Sequence, residues 1–307
     1  MSPDFIIAAL MTVVGLTTPI LLAGLGELVV EKAGVLNLGV EGMMLMGAIS
    51  GFAVTLFTFN PWLGVLGAAA GGAASSMLFA VLVLQLNSNQ VATGLALSIF
   101  GTGLSSLIGV SFTGRIVIPF TSVFPDALAK HPLLEVIFGY SPIVYFALFM
   151  VPAVGWFLKS TRAGLILRAV GENDHSAHSI GYSVIGVRYA AIAFGGAMAG
   201  IGGAYFSMVI TPMWAEKMTA GRGWIALALV VFAGWRSGRL LVSAYFFGIL
   251  MALELYAKAS GFSVVPSQFW AAMPYLMTVV ALTFISARGN AGSNAPACLG
   301  KPFLPSN

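Results

Sequence analysis

The sequence is poor in charge and has almost no cysteine. Only 8% of its 307 residues are Asp, Glu, Lys or Arg, whereas 59% are hydrophobic. Soluble domains carry about 25% charged residues, so this chain cannot cover a water-facing surface. Its several long apolar runs predict an integral membrane protein, helical rather than a β-barrel. The single cysteine, Cys298, excludes a disulfide framework and a thiolate metal cluster.

Several catalytic signatures are also missing. The chain has no GxxxxGK[ST] phosphate loop, so it does not hydrolyse ATP by that mechanism. His175 and His178 lie three residues apart beside Glu172 and Asp174, a grouping that invites a zinc interpretation. The absence of an HExxH pattern and the polar loop around them favour no metal site. A membrane-embedded enzyme is therefore the least favoured class.

The apolar runs predict the architecture. A membrane helix needs about 20 apolar residues, and the seventh run is short enough to be half of a broken helix. No Lys or Arg precedes the first run, so it is predicted to be a retained span rather than a signal peptide. The nine runs are Phe5–Leu25, Gly39–Phe59, Trp62–Leu84, Val91–Val110, Pro142–Leu158, Val187–Ile210, Gly223–Trp235, Leu240–Lys258 and Ser267–Ser286.

These runs predict an all-α, polytopic membrane helical bundle of about 8–10 transmembrane helices in residues 1–288. Residues 289–307, rich in Gly, Asn, Ser and Pro, are predicted to be a disordered tail. An N-terminus outside and a C-terminus inside place nine of the 14 cations on the inner side. The net charge of +4 then reflects loop cations rather than nucleic-acid binding.

The stretch 26–48, GELVVEKAGVLNLGVEGMMLMGA, organises the chain. On a helix starting near Leu36, Asn37 and Glu41 would share one face, and a face containing Gly47 would suit close helix packing. A carboxylate within an apolar bundle usually faces protein or a wet cavity. Two interpretations stay open for Glu41: a place on a solute pathway, or the capping of a helix end.

Two further polar segments are candidate functional elements. Asn87, Asn89, Gln90 and Thr93 cluster where the fourth span begins. Residues 159–188 form the longest predicted inner loop, with a helical leucine stripe after Arg162. We interpret this loop as a compact amphipathic element to which a cytosolic partner docks, with a loop that only sets topology as the alternative.

The sequence also contains a hint of internal duplication. Ala33-Gly34 and Gly47 recur as Ala220-Gly221 and Gly234, all at an offset of 187 residues. The first turn is predicted inside and the second outside, as an inverted repeat requires. Chance is the alternative in a chain with 37 glycines.

Three segments together resemble a known family: residues 26–48, NQVATGLALSIFGTGLS at 89–105 and RAVGENDHSAHSIGYSVIGVRYAA at 168–191. They are similar to the permease subunits of ABC importers for branched-chain amino acids, ribose-type sugars and nucleosides. The first segment most resembles the nucleoside and simple-sugar branch. Many members have Pro after the GEN triplet, where this chain has Asp174-His175.

The resemblance implies a heterodimer of two permeases in a bacterial inner membrane, with cytosolic ABC ATPases and an extracytoplasmic binding protein. ATP would be bound by the partner, and this chain would hold no cofactor of its own. The implied ATPase-docking residues are Arg168, Gly171, Glu172, Asn173 and Gly181. The pathway candidates are Asn37, Glu41, Asn89, Gln90 and Thr93.

The function predicted from this resemblance is ATP-driven import of nucleosides or related simple sugars. The alternative is an ion-coupled secondary transporter, in which Glu41 or Glu254 would be the coupling carboxylate. Glu254 also has a simpler explanation, since it lies four residues before Lys258 on the same predicted helix.

Overall fold

A computed structural model describes residues 3–125, 129, 134–259, 269, 272–273, 276–280, 283 and 295–304. Within these ranges the chain is helical, and one isolated β-bridge joins Ile116 to Met213. The helices are α1 (Pro3–Lys32), α2 (Val40–Thr58), α3 (Pro61–Ala80), α4 (Gln90–Gly109), α5 (Glu135–Phe138), α6 (Pro142–Ser160), α7 (Arg162–Glu172), α8 (Asp174–Ser179), α9 (Val184–Tyr205), α10 (Arg222–Phe232) and α11 (Ser237–Ala259).

Seven of the described helices are long and apolar enough to cross a membrane. α3 and α9 are each extended by a π-helical turn, to Gln85 and to Ile210. Each of the first eight predicted spans corresponds to one helix, whereas the ninth, Ser267–Ser286, lies mostly outside the described residues. The seventh span is short as predicted: the 11 residues of α10 extend about 16 Å, half of a bilayer core.

Small residues bring the central helices together. α1 and α9 cross antiparallel, since a Cβ at Gly26 would lie 2.9 Å from the Gly195 carbonyl and one at Gly202 would lie 2.8 Å from the Pro19 carbonyl. α2 runs beside α9, where a Cβ on Gly47 would overlap the backbone of Gly200. The prediction that Gly47 supports close packing is confirmed. Small residues at these positions let the helix backbones themselves come into contact.

The packing is that of an inverted repeat. α9 packs on α2 and α3, and α1 packs on the equivalent pair, α10 and α11. α2 is parallel to α9, and α10 is parallel to α1. α3 is antiparallel to α9, and α11 is antiparallel to α1. Because α1 and α9 are themselves antiparallel, the two units have opposite directions across the membrane, as an inverted repeat requires.

The segment between α1 and α2 is re-entrant rather than helical. α2 begins at Val40 and not near Leu36, so the prediction that Asn37 and Glu41 share a helix face is wrong. The chain instead turns at Gly34 and runs beside α4 toward the middle of the bundle. Gln90 Oε1 accepts from Leu36 N, and Ser98 Oγ donates to the Leu38 carbonyl. Glu41 therefore lies deep in the bundle, near the middle of α4.

Two other predicted segments take a definite form. The described part of the connection between α4 and α6 contains a short helix, α5, and pairs with the segment before α10 through a 3.0 Å hydrogen bond from Val117 N to the Pro212 carbonyl. The tail also differs from prediction: residues 295–304, expected to be disordered, pack against the rest of the chain. Backbone hydrogen bonds and the buried Phe303 hold them despite their Gly- and Pro-rich composition.

Candidate functional site: the re-entrant turns and the docking helices

The first re-entrant turn is held by buried polar side chains. Asn37 is fully buried, and its backbone N donates to Glu27 Oε1 at 3.1 Å while its Nδ2 lies 3.4 Å from Glu27 Oε2. Asn37 Oδ1 accepts from Gly39 N at 3.0 Å. A turn inside an apolar bundle has backbone donors that water cannot reach, and Glu27 and Asn37 satisfy them.

Glu41 holds a second re-entrant turn, which lies around Gly221 just before α10. Its Oε1 accepts from Thr219 Oγ1 at 2.6 Å and from Gly221 N at 2.8 Å, and its Oε2 accepts from Gly223 N at 2.7 Å. These groups form the N-terminus of α10, where unpaired N–H groups and the helix dipole favour a negative charge. Of the two interpretations of Glu41, the structure shows the capping contact. The helix that Glu41 caps is α10, about 180 residues further along the chain.

A third carboxylate links α1 to the segment after α10. Glu31, on the last turn of α1, accepts from Trp235 Nε1 at 2.5 Å, just after α10. Glu31 and Glu27 are both 1% exposed. The acidic residues of the organising stretch therefore bind polar groups of the turns and of the opposite repeat.

The five pathway candidates have different environments, and two of them, Asn89 and Gln90, line the same cavity of about 250 Å³. Gln90 is buried and bridges Leu36 N and the Lys301 carbonyl, at 2.8 and 3.4 Å. Asn89 is exposed and caps α4 by accepting from Ala92 N, whereas Thr93 is bonded to Ser88. Asn37, Glu41 and Gln90 thus position the re-entrant chain, and Asn89 and Thr93 lie where α4 begins. Their role in a solute pathway stays a prediction.

The predicted docking loop folds into two short helices, α7 and α8, which are called the docking helices below after that prediction. Thr161 caps α7 by accepting from Gly164 N at 3.0 Å, and Asn173 ends α7 and caps α8 by accepting from Ser176 N at 2.9 Å. Gly181 follows with φ +91°, a conformation that suits glycine. Asp174 begins α8, so the departure from the GEN-Pro pattern still gives a well-capped helix.

The predicted docking residues have different environments. Glu172, Asn173 and Gly181 are exposed and available to a partner. Gly171 is buried, and a Cβ there would overlap the Lys32 carbonyl, so its role is to let α7 contact the end of α1. Arg168 is half-buried and lines a cavity beside Lys32.

An ion pair that the sequence reasoning missed anchors these helices. Arg188 is fully buried on α9; its Nη2 donates to Asp174 Oδ2 at 3.0 Å, and its Nε donates to the Ala33 carbonyl at 3.1 Å. One guanidinium thus joins α8, α9 and the first re-entrant turn. In the sequence, Arg188 lies at the start of an apolar run, where cations that only set topology also lie, so no local signal identifies its burial.

The C-terminal segment closes the same corner. Cys298 N donates to the Gly171 carbonyl at 2.9 Å, and Gly300 N donates to the Gly34 carbonyl at 3.2 Å. The ring of Phe303 is 7% exposed and packs 5.6 and 5.5 Å from the rings of His175 and His178. The two histidines therefore support the tail.

Residues 9–282 match the family described as the branched-chain amino acid transport system permease component. The chain belongs to this family. The permease is 42% identical to TsgC13, provisionally named a glucose ABC transporter permease protein, of Haloferax volcanii, over 88% of this chain and 89% of the relative. It is 30% identical to the guanosine ABC transporter permease protein NupQ of Bacillus subtilis, over 93% of each. A second Haloferax volcanii relative, the glucose ABC transporter permease protein TsgB13, is 27% identical over 76% of this chain and 65% of that relative.

These similarities confirm that the permease is an ABC transporter subunit of the nucleoside and sugar branch. The re-entrant turns and docking helices are thus parts of a membrane transport subunit rather than of a catalytic centre. Glu254 is partly exposed and forms an ion pair with Lys258 at 2.7 Å, as its i,i+4 spacing predicts.

Proposed function

We propose that the permease translocates a nucleoside or a simple sugar across the cytoplasmic membrane as part of an ABC importer. A separate cytosolic ATPase would energise it, and an extracytoplasmic binding protein would deliver the solute. Support comes from relatives named for guanosine and glucose transport that cover about nine-tenths of the chain.

We further propose that the permease works in a heterodimer. Two relatives named for glucose transport come from one organism, and they resemble this chain unequally, at 42% and 27% identity. Unequal similarity is expected if the two are distinct members of one pair and the permease corresponds to TsgC13.

The observation that carries the docking proposal is an exposed apolar surface on α7 and α8, two helices that hydrogen bonds hold against the bundle. Leu165 on α7 is 50% exposed, and Ile180 and Tyr182 after α8 are 71% and 39% exposed. Exposed apolar residues rimmed by polar ones mark contacts with partners. Asp174 and Arg188 hold the support in place, so movement of a docked ATPase would be passed to the first re-entrant turn.

In this proposal Asn37, Glu41 and Gln90 act on the pathway by setting the position of the re-entrant turns. Asn89 and Thr93 lie at the predicted inner mouth. Alternating access would follow from a change in the relative position of the two repeats, with each state favoured by the ATP- or ADP-bound partner.

The docking proposal is tested by copurification of the permease with the ATPase of its transporter. The double variant Leu165→Asp/Ile180→Asp is expected to recover at least about tenfold less ATPase, because two apolar anchors are replaced by charge. Leu304→Asp is the matched control, since Leu304 is 59% exposed on the same side but outside the docking helices. Equal recovery of the ATPase with both variants would contradict the assignment.

The substrate class is tested in proteoliposomes that contain the whole transporter, its binding protein and internal ATP. Uptake of labelled guanosine and of labelled glucose is compared, and we expect one of them to accumulate only when ATP is hydrolysed. Uptake that persists without ATP under a proton gradient would instead support the ion-coupled alternative.

A further inference from the structure

A cavity of about 370 Å³ lies where α1 and α6 end and α11 begins. Its wall contains four cationic side chains, and the turn Gly234–Gly238 closes it on the α11 side. Because these three predicted membrane helices have an end at this cavity, we place it at the depth of the lipid headgroups on the docking side. The cations are Lys32, Lys159, Arg168 and Arg236.

The charged side chains in the wall of this cavity are cationic. Lys32 lies within electrostatic reach of the cations Arg168 and Arg236 and of the carboxylates Glu172 and Glu31. Four cations thus line the cavity, whereas two carboxylates act on Lys32 at its wall. Like charges held together around an open volume favour an anion between them.

Two further donors point to the same ligand chemistry. Arg168 Nε is buried and has no hydrogen-bond partner among the described residues, which is costly unless a ligand accepts from it. α11 also begins here, and the start of a 23-residue helix offers N–H groups that have no partner within the helix and the positive end of the helix dipole. Guanidinium and helix N-terminal donors together suit a phosphate group.

An apolar cavity of about 380 Å³ is lined by residues that neighbour those of the cationic cavity along the same helices. It is lined by Val29 of α1, Val154 of α6 and Leu167 of α7, each one to three residues from a residue of the cationic cavity. Trp156, which also lines this cavity, is 65% exposed. A ligand with a phosphate and a hydrocarbon chain would match both cavities.

We propose that the cationic cavity binds the phosphate of an anionic phospholipid, with an acyl chain along the apolar cavity. The same phosphate chemistry could be supplied by soluble inorganic phosphate, and the apolar cavity favours the lipid. Bound phosphate joins the end of α1, the docking helix α7 and the turn before α11. The lipid is therefore a structural ligand of the corner through which the docking helices contact the bundle.

The test is native mass spectrometry of the purified transporter complex exchanged into phosphatidylglycerol or phosphatidylcholine. Lys159→Gln/Arg236→Gln removes two cations from the cavity wall. Lys301→Gln/Arg239→Gln is the matched control, because both side chains are exposed on the same side and neither lines the cavity. Thermal unfolding of each variant, with and without inorganic phosphate, is measured in parallel.

The wild type is expected to retain phosphatidylglycerol in preference to phosphatidylcholine. Retention should weaken by about tenfold or more in Lys159→Gln/Arg236→Gln and by less than about twofold in the control. Stabilisation of the wild type by inorganic phosphate, lost in the cavity variant and without lipid selectivity, supports the phosphate site with a soluble source. Equal retention of both lipids with no effect of phosphate overturns the proposal, as does an equal loss in the two double variants.

Discussion

The two re-entrant turns have the same local design but different supports. Each has an Ala-Gly pair in which the glycine has positive φ, +87° at Gly34 and +79° at Gly221. The first turn is held by Arg188, by the Gly300 backbone and by Gln90, which come from three distant parts of the chain. The second is held chiefly by one side chain, Glu41 of the other repeat.

This difference shows where the symmetry of the bundle is broken. The supports of the first turn also bind the docking helices, since Arg188 contacts Asp174 and the tail contacts Gly171. The supports of the second turn stay within the membrane bundle. A displacement of α7 and α8 would therefore reach the first turn directly and the second only through the contact between repeats.

The largest expected effect comes from uncoupling the first turn from the docking helices. Arg188→Met leaves the carboxylate of Asp174 buried without its partner, and loss of one partner of a buried pair costs about 3–5 kcal/mol. Thermal unfolding in detergent measures the loss. Asp174→Leu/Arg188→Met removes both charges and should recover most of the stability. A double variant no more stable than Arg188→Met would show that the ion pair is not the main anchor.

A smaller effect is expected at the second turn. Glu41→Gln keeps the shape of the side chain but removes the charge and turns an amide N–H₂ toward backbone donors, so about 1–3 kcal/mol should be lost. Glu254→Gln is the control, because its exposed i,i+4 pair with Lys258 is worth only about 0.2–0.5 kcal/mol. Equal unfolding temperatures for the two variants would contradict the capping role.

The smallest effect sharpens the contrast between the turns. Phe303→Leu removes the aromatic ring that packs on His175 and His178 but keeps an apolar side chain of similar size, so the loss should be about 1 kcal/mol. Hydrogen exchange should accelerate in α8 and at Gly34 but not at Gly221, because the tail braces only the first turn. Leu304→Ala, at a 59% exposed position, should change neither rate.

The transmembrane architecture could be predicted because span length is a local property. Apolar run lengths located α1 to α4, α6, α9 and α11, and the short run at Gly223 identified the half-length α10. The Ala-Gly recurrence at an offset of 187 residues indicated the inverted repeat that the packing shows.

The contacts of the polar residues could not be predicted in the same way. Glu41 was singled out correctly as a costly buried carboxylate, but its donors lie about 180 residues away and no local pattern identifies them. Arg188 has the same spacing relative to an apolar run as an ordinary topology cation. The start of α2 was placed too early because Leu36–Gly39 is apolar enough to continue a helix. The hydrogen bond from Asn37 N to Glu27 holds this segment in a non-helical turn, and α2 begins at Val40.

The composite support of the docking helices limits how such permeases can be recombined. A segment containing only residues 159–183 carries the exposed surface but not its foundation, which includes Ala33, Arg188 and residues 298–303. A chimera designed to change the ATPase that a permease accepts would have to transfer all four pieces together. Gene fusions that extend the C-terminus would likewise need a linker long enough to leave Phe303 in place.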